Sequence, residues 1–435
     1  MFKNLSQPGY YSYESCFIID DERSRAHEIS DIIKGLSISE SVHKQNLSIN
    51  LTLSDQAGLL SEAELYGNEV IVINYKTPNY HKENKLRELA FRITDIQNVE
   101  FTGNLQGLQY QIRGVHELSY IQEFGDVRNH FSGKISDAAQ KIFDEAVGLA
   151  DNLNKPLALK EKCTLDKDDT DGNVDFIIPS ETPFDSITYL ESWAFSNESK
   201  SNYFMFFQTP DDFKFRNLSS LIKDGKDKLN DTLDLKNRTY YYDLSESTTA
   251  SNAQKKFNFC YDLVQLNRNN FYLGAKDGGY HNAVNKVDYT FKKVTRTTKK
   301  VDFNELNYFK NDGFLAGQKA LDSFLKEPNT TDWIYHNGGQ SNSIEMASQH
   351  HTKMILSYTF FNNMIQITIP GNSDLQAGEV IVLKIPAVQH MSEGEKKLDN
   401  TLSGEFFIKD ITHVFTPQSY VDTLTLCRVG GDWNA

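Results

Sequence analysis

The sequence predicts a β-rich α+β protein of several domains, in which two similar β-domains are accompanied by smaller α/β insertions. Three observations lead to this fold class. The chain has 435 residues, which corresponds to about three domains at roughly 150 residues each. It contains 28 Phe and 21 Tyr, and aromatic residues, like β-branched ones, favour strands. Finally, three short blocks recur in the same order near the two ends of the chain.

The recurring blocks indicate a duplication. The first and third alternate in the pattern of a half-buried strand, and the second is a continuous apolar run, typical of a strand buried on both faces. Because the order of all three is kept, we expect a duplicated β-domain. The alternative is that Ile- and Val-rich strands resemble one another in any all-β protein. The matched blocks are Ile49–Leu53 with Ile365–Ile369, Glu69–Ile73 with Glu379–Leu383, and Ile93–Val99 with Ile408–Val414.

Two helices are predicted between the copies. The first covers Ser136–Ala150, with Ser136 as its N-cap. The second follows Thr182, which can cap the helix, with Pro183 in the first turn and Asp185 three residues after the cap. Each helix has one apolar face, so both are expected to pack on a core. The apolar positions are Ile135, Ala139, Ile142, Ala146 and Leu149 in the first helix, and Ile187, Leu190 and Ala194 in the second.

An aromatic strand, Tyr203–Phe207, follows the second helix and is predicted to form a hairpin with Phe213–Phe215. Together with the helices it indicates a small α/β unit. The strand's aromatic side chains suit either a ligand-stacking platform or the core of this unit, and we favour the core.

The remaining segments are assigned more coarsely. Strands return between Asn258 and Lys299, and the second β copy follows a helix that ends near Phe360. The individual predictions are strands at Asn270–Leu273 and Val287–Phe291, an irregular segment 300–345 with a short helix around Gly317–Leu325, a helix at Met346–Phe360, and exposed mixed-charge loops at Lys160–Asp175 and Lys223–Arg238.

The predicted domain boundaries follow from these patterns. The first β-domain covers 1–122 and the α/β domain covers 123–249. The second β-domain is discontinuous, with a first part at 250–299 and the remainder at 346–435. The inserted segment 300–345 separates these two parts.

Composition excludes several classes of function. With 59 acidic and 45 basic residues the formal net charge is −14, which argues against a broad basic nucleic-acid interface and against attachment to an anionic membrane. The start of the chain lacks the apolar region of a signal peptide, and no apolar run reaches the length of a membrane span. Four distant cysteines without a CxxC pair predict neither a zinc knuckle nor a disulfide framework.

The search for catalytic, cofactor and metal sites yields no candidate residue. Asp166–Gly172 resembles a calcium loop, but its spacing places Lys167 and Ile178 where carboxylates are needed. The pair at His116 and Glu117 lacks the second histidine of a zinc helix, since Tyr120 stands there. The adjacent His350 and His351 cannot chelate from one helix face. No P-loop, GxSxG or GxGxxG motif occurs.

Four groups of stretches carry a family resemblance, and together they cover most of the chain outside 300–345. They are Leu36–Val42, Leu51–Asp55, Gly58–Leu60 and Gly67–Val72; Pro179–Pro183 with Ile187, Leu190 and the Phe-rich strand that follows; Phe257–Phe259, Asn270–Gly274 and Asp288–Tyr289; and Ile369–Asn372, Leu375, Gly378–Val380, Gly404–Ile408 and Asp410–His413. In this order they resemble the baseplate central hub protein of T4-like contractile-tailed bacteriophages, a family related to the N-terminal hub part of type VI secretion spike proteins.

The resemblance implies a structural virion protein without catalytic activity. The two copies would be tube-type β-barrel domains, and a homotrimer would present six of them as a pseudo-hexameric ring. Such a ring matches the sixfold tail tube on one side and a threefold spike or needle on the other. Neighbouring baseplate proteins would be further partners, DNA would touch the protein only in transit through the lumen, and no stable membrane association is implied. Assembly would take place in the host cytoplasm.

Two further expectations and three alternatives accompany this prediction. Unpaired strands at the edge of one module would pair with the next module, and the acidic charge could line a lumen that repels DNA. The related alternative is the hub of a phage-like injection system. A tail-associated peptidoglycan-degrading enzyme is disfavoured by the missing catalytic pattern, and a carbohydrate-binding protein by the presence of only three Trp.

Overall fold

The fold was analysed in a computed structural model that describes residues 8–20, 25–62, 65–77, 86–103, 107–152, 163–178, 180–196, 203–242, 257–268, 276, 281–288, 292–300, 330–336, 353, 356–358, 360–387, 398–399 and 402–429. The strands are β1 Ser12–Asp20, β2 Arg25–Glu28, β3 Ile33–Ser41, β4 Ser48–Asp55, β5 Val70–Lys76, β6 Arg87–Thr102, β7 Gly107–His116, β8 His130–Gly133, β9 Leu165–Lys167, β10 Val174–Ile177, β11 Phe204–Gln208, β12 Phe213–Asn217, β13 Thr239–Tyr241, β14 Asp262–Arg268, β15 His281–Asp288, β16 Lys293–Lys300, β17 Thr330–His336, β18 Asn363–Pro370, β19 Val380–Lys384, β20 Gly404–Phe415 and β21 Tyr420–Arg428. The α-helices are α1 Leu59–Glu62, α2 Glu117–Ile121, α3 Ile135–Asn152, α4 Pro183–Glu191, α5 Leu218–Leu229 and α6 Thr232–Arg238, and the 3-10 turns are Gln122–Phe124 and Phe360–Asn362.

A sheet of 13 strands runs through both ends of the chain. Its main path is β14-β18-β21-β20-β3-β4-β7-β6-β5-β1-β2, and β19 with β13 branches from β20. Within this sheet the order β3-β4-β7-β6-β5 is repeated as β14-β18-β21-β20-β19, and every neighbouring pair in both series is antiparallel. We call the first series, with β1 and β2, the first module, and the second series the second module.

The two modules also share their registers. The matched sequence blocks lie on β4 and β18, on β5 and β19, and on β6 and β20. Ile49 lies opposite Gly114, which lies opposite Ile93. In the second module Ile365 and Ile408 lie opposite the same residue of β21, Leu426. Next to these pairs each long strand has one extra residue, Thr94 in β6 and Lys409 in β20. Both modules therefore have a β-bulge at the same position.

The modules are joined edge to edge. The second half of β20 pairs antiparallel with β3, from Asp410 opposite Ser41 to Phe415 opposite Leu36. Phe415 and Tyr420, although they belong to the second module, are buried in the hydrophobic core of the first. The two modules therefore form one continuous sheet and share part of a hydrophobic core.

The predicted α/β unit lies between the two modules in the sequence. Its sheet is β11-β12-β9, with the predicted hairpin formed by β11 and β12. The side chain of Thr182 caps α4 by accepting a hydrogen bond from the Asp185 backbone N–H at 3.4 Å, as predicted. The prediction of Ser136 as a cap was wrong, because α3 begins at Ile135. Ser136 is instead buried and its hydroxyl accepts a hydrogen bond from the Thr170 backbone N–H at 3.2 Å.

Both segments predicted to be exposed loops contain regular structure. Lys160–Asp175 includes β9, which pairs parallel with β12, and the start of β10. Lys223–Arg238 includes most of α5 and all of α6. Lys223 and Lys228 of α5 are exposed and Lys226 is half-buried. On the opposite face Leu221, Ile222, Gly225 and Leu229 are buried against the second module. The charged face therefore concealed an amphipathic helix.

The segment before the second module also differs from the prediction. Of the described strands in 250–299, only β14 joins the main sheet, whereas β15 and β16 form a separate sheet with β17. Strand β17 lies in 300–345, which was predicted to be irregular. The predicted strand Asn270–Leu273 and helix Gly317–Leu325 lie outside the described residues. In the predicted helix Met346–Phe360, Lys353 and 356–358 are helical.

The close contact between α5 and β19 leads to a stability prediction. A Cβ atom on Gly225 would lie 2.4 Å from Val380 Cγ2 and 2.8 Å from Val380 Cβ. We therefore expect Gly225→Ala to lower the free energy of unfolding by about 1 to 3 kcal/mol, although alanine is the better helix former. Gly148→Ala in α3 is the control, since its Cβ would meet nothing within 4 Å, and it should stabilise by about 0.5–1 kcal/mol. Urea denaturation of both variants decides; equal effects would contradict the packing argument.

Candidate assembly interface

The residues that resembled metal sites bind other side chains. Asp166 Oδ2 lies 2.8 Å from Arg216 Nη1, and Asp168 Oδ1 lies 2.8 Å from Arg216 Nε. Although partial burial raises the pKa of Asp166, Arg216 and then Lys214 bring it below its usual range. Among the described residues no group of three or more His, Cys, Asp or Glu is arranged to hold a metal ion.

The described histidine that was considered as a zinc ligand, His116, is partly buried beside an ion pair. Burial lowers the pKa of His116 to about 4, and the neighbouring Glu117 forms a buried salt bridge with Arg92. His350 and His351 lie outside the described residues. The aromatic strand Tyr203–Phe207 is buried along its whole length, which places it in a core, as predicted, and leaves no exposed ring for ligand stacking.

One free edge of the main sheet is the second half of β6. Arg87–Arg92 of this strand pair with β5, and pairing with β7 begins at Phe91. Beyond Ile93 the strand pairs only with β7 in the described structure. Val99 and Phe101 on this half are 48% and 71% exposed. By contrast Phe415, at the equivalent place in β20, is fully buried because β3 covers that edge.

A second free edge, at one end of the main path, is β14. In the second module β14 takes the position that β3 has in the first, but whereas β3 is flanked by β4 and β20, β14 pairs only with β18 among the described strands. Tyr261, Val264 and Leu266 are each nearly half exposed at this edge. Open strand edges with exposed apolar side chains are sites of strand addition.

The joint between the modules contains a buried charged cluster. His413 Nε2 lies 3.0 Å from Glu40 Oε1 of β3, and His413 Nδ1 lies 2.7 Å from Asp422 Oδ1. The backbone N–H groups of Ala377 and Asn372 donate to the outer oxygens of Glu40 and Asp422 at 3.1 and 2.7 Å. Each carboxylate thus has a charged and a neutral donor, which is how buried ions are stabilised.

The protonation of this cluster follows from its geometry. Burial alone would lower the pKa of His413, but Asp422 and then Glu40 raise it to about 9. Burial raises the pKa of Glu40, and the contact with His413 offsets this only in part. At neutral pH the imidazolium therefore connects the two modules. No sequence pattern indicated this cluster, because Glu40 and His413 are 373 residues apart.

The sheet face opposite the cores is polar but mostly uncharged. Cross-strand partners on this face are half-buried or exposed, and the Ser39 and Thr412 hydroxyls lie 3.3 Å apart across the joint. The charged members of this described face include the acidic Asp95, Glu100, Asp262 and Asp410 and the basic Arg113. Its uncharged members include Ser37, Ser39, Asn50, Thr52, Gln111, Gln366, Thr368, Thr412, Thr423 and Thr425.

Comparison with known proteins agrees with this architecture. No protein-family model matches the sequence. Over 403 residues the chain is 21% identical to "Probable baseplate hub protein gp334" of Vibrio phage KVP40, covering 86% of this chain and 84% of that protein. The resemblance to baseplate hub proteins is confirmed.

Solved structures show the same fold for this hub-like chain. The tail protein from Neisseria meningitidis MC58 superimposes with a TM-score of 0.55 at 11% identity, covering 96% of both chains. The 43 kDa tail protein of prophage MuSo2 from Shewanella oneidensis gives a TM-score of 0.50 at 7% identity, covering 95% of this chain and 98% of its own. The shared fold therefore extends over nearly the whole chain and is not limited to the two modules. None of the helices in the described ranges is long and apolar enough to cross a membrane.

Proposed function

We propose that this chain is the central hub of a phage tail baseplate, a structural protein that acts as a homotrimer. Three subunits with two modules each form a pseudo-hexameric ring, whose sixfold outline matches the tail tube and whose true threefold symmetry matches a spike or needle. The trimer is part of the virion, contacts neighbouring baseplate proteins, and is assembled in the host cytoplasm before joining the tail.

The observation that carries this proposal is the repeated strand order with its edge-to-edge joint. The joint between β20 and β3 links unlike edges of two similar modules. Two of the remaining edges, β6 and β14, are of the same two kinds. Head-to-tail contacts of this type generate closed rings when the rotation at each contact fits. A second copy of the chain therefore supplies the strand that each free edge lacks.

The modules are assigned to 1–122 and to the discontinuous 250–299 with 346–435, with the α/β unit at 123–249 and the insertion at 300–345. In the closed ring the polar sheet face lines the lumen through which DNA passes. Hydroxyl and amide groups neither bind phosphates as strongly as lysine does nor repel them as carboxylates do. The chain has no catalytic role in this proposal, and lysis bands on a peptidoglycan zymogram would contradict that part.

The purified protein tests the proposal directly. We expect light scattering to report three chains of 49.7 kDa, and negative-stain images to show rings with a central pore. If the free hub is monomeric, the measurement is repeated after co-expression with the spike protein of the same particle. A monomer under both conditions would overturn the trimeric hub.

A further inference from the structure

The free edge of β6 has one residue more than the corresponding edge of β20. From Gln97 to Glu100 the register advances by three residues in β6 but by two in β7, so Asn98 and Val99 share one partner. Asn98 has a φ of +53°, the left-handed conformation found in bulges. The matching stretch of β20 pairs with β21 without any irregularity.

The free edge of β14 also has one extra residue. Gln265 and Asn267 pair with consecutive residues of β18, which leaves Leu266 without a partner in that ladder. In β3 the matching residues, Ile38 and Ser39, are adjacent and pair with consecutive residues of β4. Each free edge is therefore longer by one residue than its counterpart in the joint.

The two insertions lie at facing positions. In the joint Thr412 pairs with Ser39 and Val414 with Ser37, so one residue separates the two pairs on each strand. At the equivalent places two residues separate the pairs on each free edge, so the two insertions compensate and the alternation of side chains is restored. The register transferred from the joint gives the pairs Gln97–Asn267, Asn98–Leu266, Val99–Gln265, Glu100–Val264 and Phe101–Leu263.

We propose that β6 of one subunit pairs with β14 of the next in this register, and that the matched bulges determine it. This inference rests on the proposed function and names the contact through which a second copy binds. If only one edge had the extra residue, every pair beyond it would shift by one position and expose apolar side chains on the wrong face. With both insertions Phe101 and Leu263 meet on the core side, as Phe415 and Leu36 do in the joint.

Compensating deletions test the register. Deleting Val99 alone or Leu266 alone should reduce the trimeric fraction at least tenfold, because each single deletion offsets the two edges by one residue. Deleting both should restore the trimer, since the shortened edges then match those of the joint. Circular dichroism and urea midpoints confirm that the single-deletion chains are folded. Assembly of both single-deletion proteins at the wild-type level, or failure of the folded double-deletion protein to assemble, would overturn the proposal.

A cross-link provides a test that does not depend on the deletions. The four native cysteines are buried, so an oxidisable pair can be introduced at the surface. Gln97→Cys with Asn267→Cys should give disulfide-linked trimers, whereas Gln97→Cys with Val264→Cys, which is out of register, should not. A wild-type ring that cross-links only in the second combination would refute the register but leave the hub function intact. A chain that never forms a trimer would refute the hub function itself.

Discussion

Replacing His413 by glutamine is expected to lower the free energy of unfolding by about 3 to 5 kcal/mol at neutral pH, the range for a buried ion pair that loses one partner. The substitution leaves Glu40 and Asp422 fully buried without the cation between them. Because these residues come from both modules, the lost contact weakens the joint itself. The measurement is the urea midpoint of the β-sheet signal.

The same substitution should change how stability depends on pH. The pKa of His413 is 6.5 in its ordinary state and about 9 in the folded protein, so folding binds a proton in this interval. The stabilisation from His413 is complete below pH 6.5 and is lost as the pH rises towards 9. We therefore expect the wild-type midpoint to fall across this window and that of His413→Gln to change much less.

Two further variants test whether the loss of stability is specific to the buried cluster and not common to any histidine substitution. His130→Gln removes a side chain that is 58% exposed in its pair with Asp175 and should change stability by less than about 0.5 kcal/mol. Adding Glu40→Gln to His413→Gln should recover part of the loss, because it removes one unpaired buried charge. A double variant less stable than His413→Gln alone, or identical pH profiles with and without His413, would refute the assigned role of the cluster.

The parts of the fold that were predictable are those written in local patterns. The strand blocks around Ile49 and Ile365 alternate apolar and polar residues, and that alternation alone indicates a half-buried strand. Likewise Thr182 and Pro183 mark a helix start through the chemistry of the first turn. The duplication followed because the same local patterns occur twice in the same order.

The parts that were missed depend on distant contacts or on charge. Lysines and aspartates in α5 suggested a loop, whereas the helix is stabilised by its contact with β19. For the candidate assembly interface, the sequence predicted only that some strand edges stay unpaired, not which strands they are. Which edges remain open depends on the pairing of β3 with β20, and that pairing joins residues more than 300 positions apart. The bulge at Leu266 is likewise defined only by its partner strand.

A charge placed opposite Glu100 is expected to control assembly of the ring. In the proposed register Glu100 faces Val264 of the next subunit, and both side chains are exposed in the monomer. Val264→Glu would place like charges opposite each other at three contacts per ring. At about 0.2–1 kcal/mol per pair the total is about 0.6 to 3 kcal/mol, which lowers the assembly constant roughly three- to hundredfold. Sedimentation of the variant against wild type measures this change.

The charge swap identifies the partner of Val264 as well as its position. Adding Glu100→Lys to Val264→Glu converts each repulsive pair into an attractive one, so assembly should return to at least the wild-type level. Val294→Glu is the matched control, because Val294 is 57% exposed on β16, which belongs to a separate sheet with β15 and β17, and this variant should assemble normally. If Glu100→Lys does not rescue Val264→Glu while the control assembles, Glu100 and Val264 do not face each other and the transferred register is wrong. Rescue would instead place the two residues in contact across the subunit boundary, because within one chain they lie at opposite ends of the sheet path from β14 to β6.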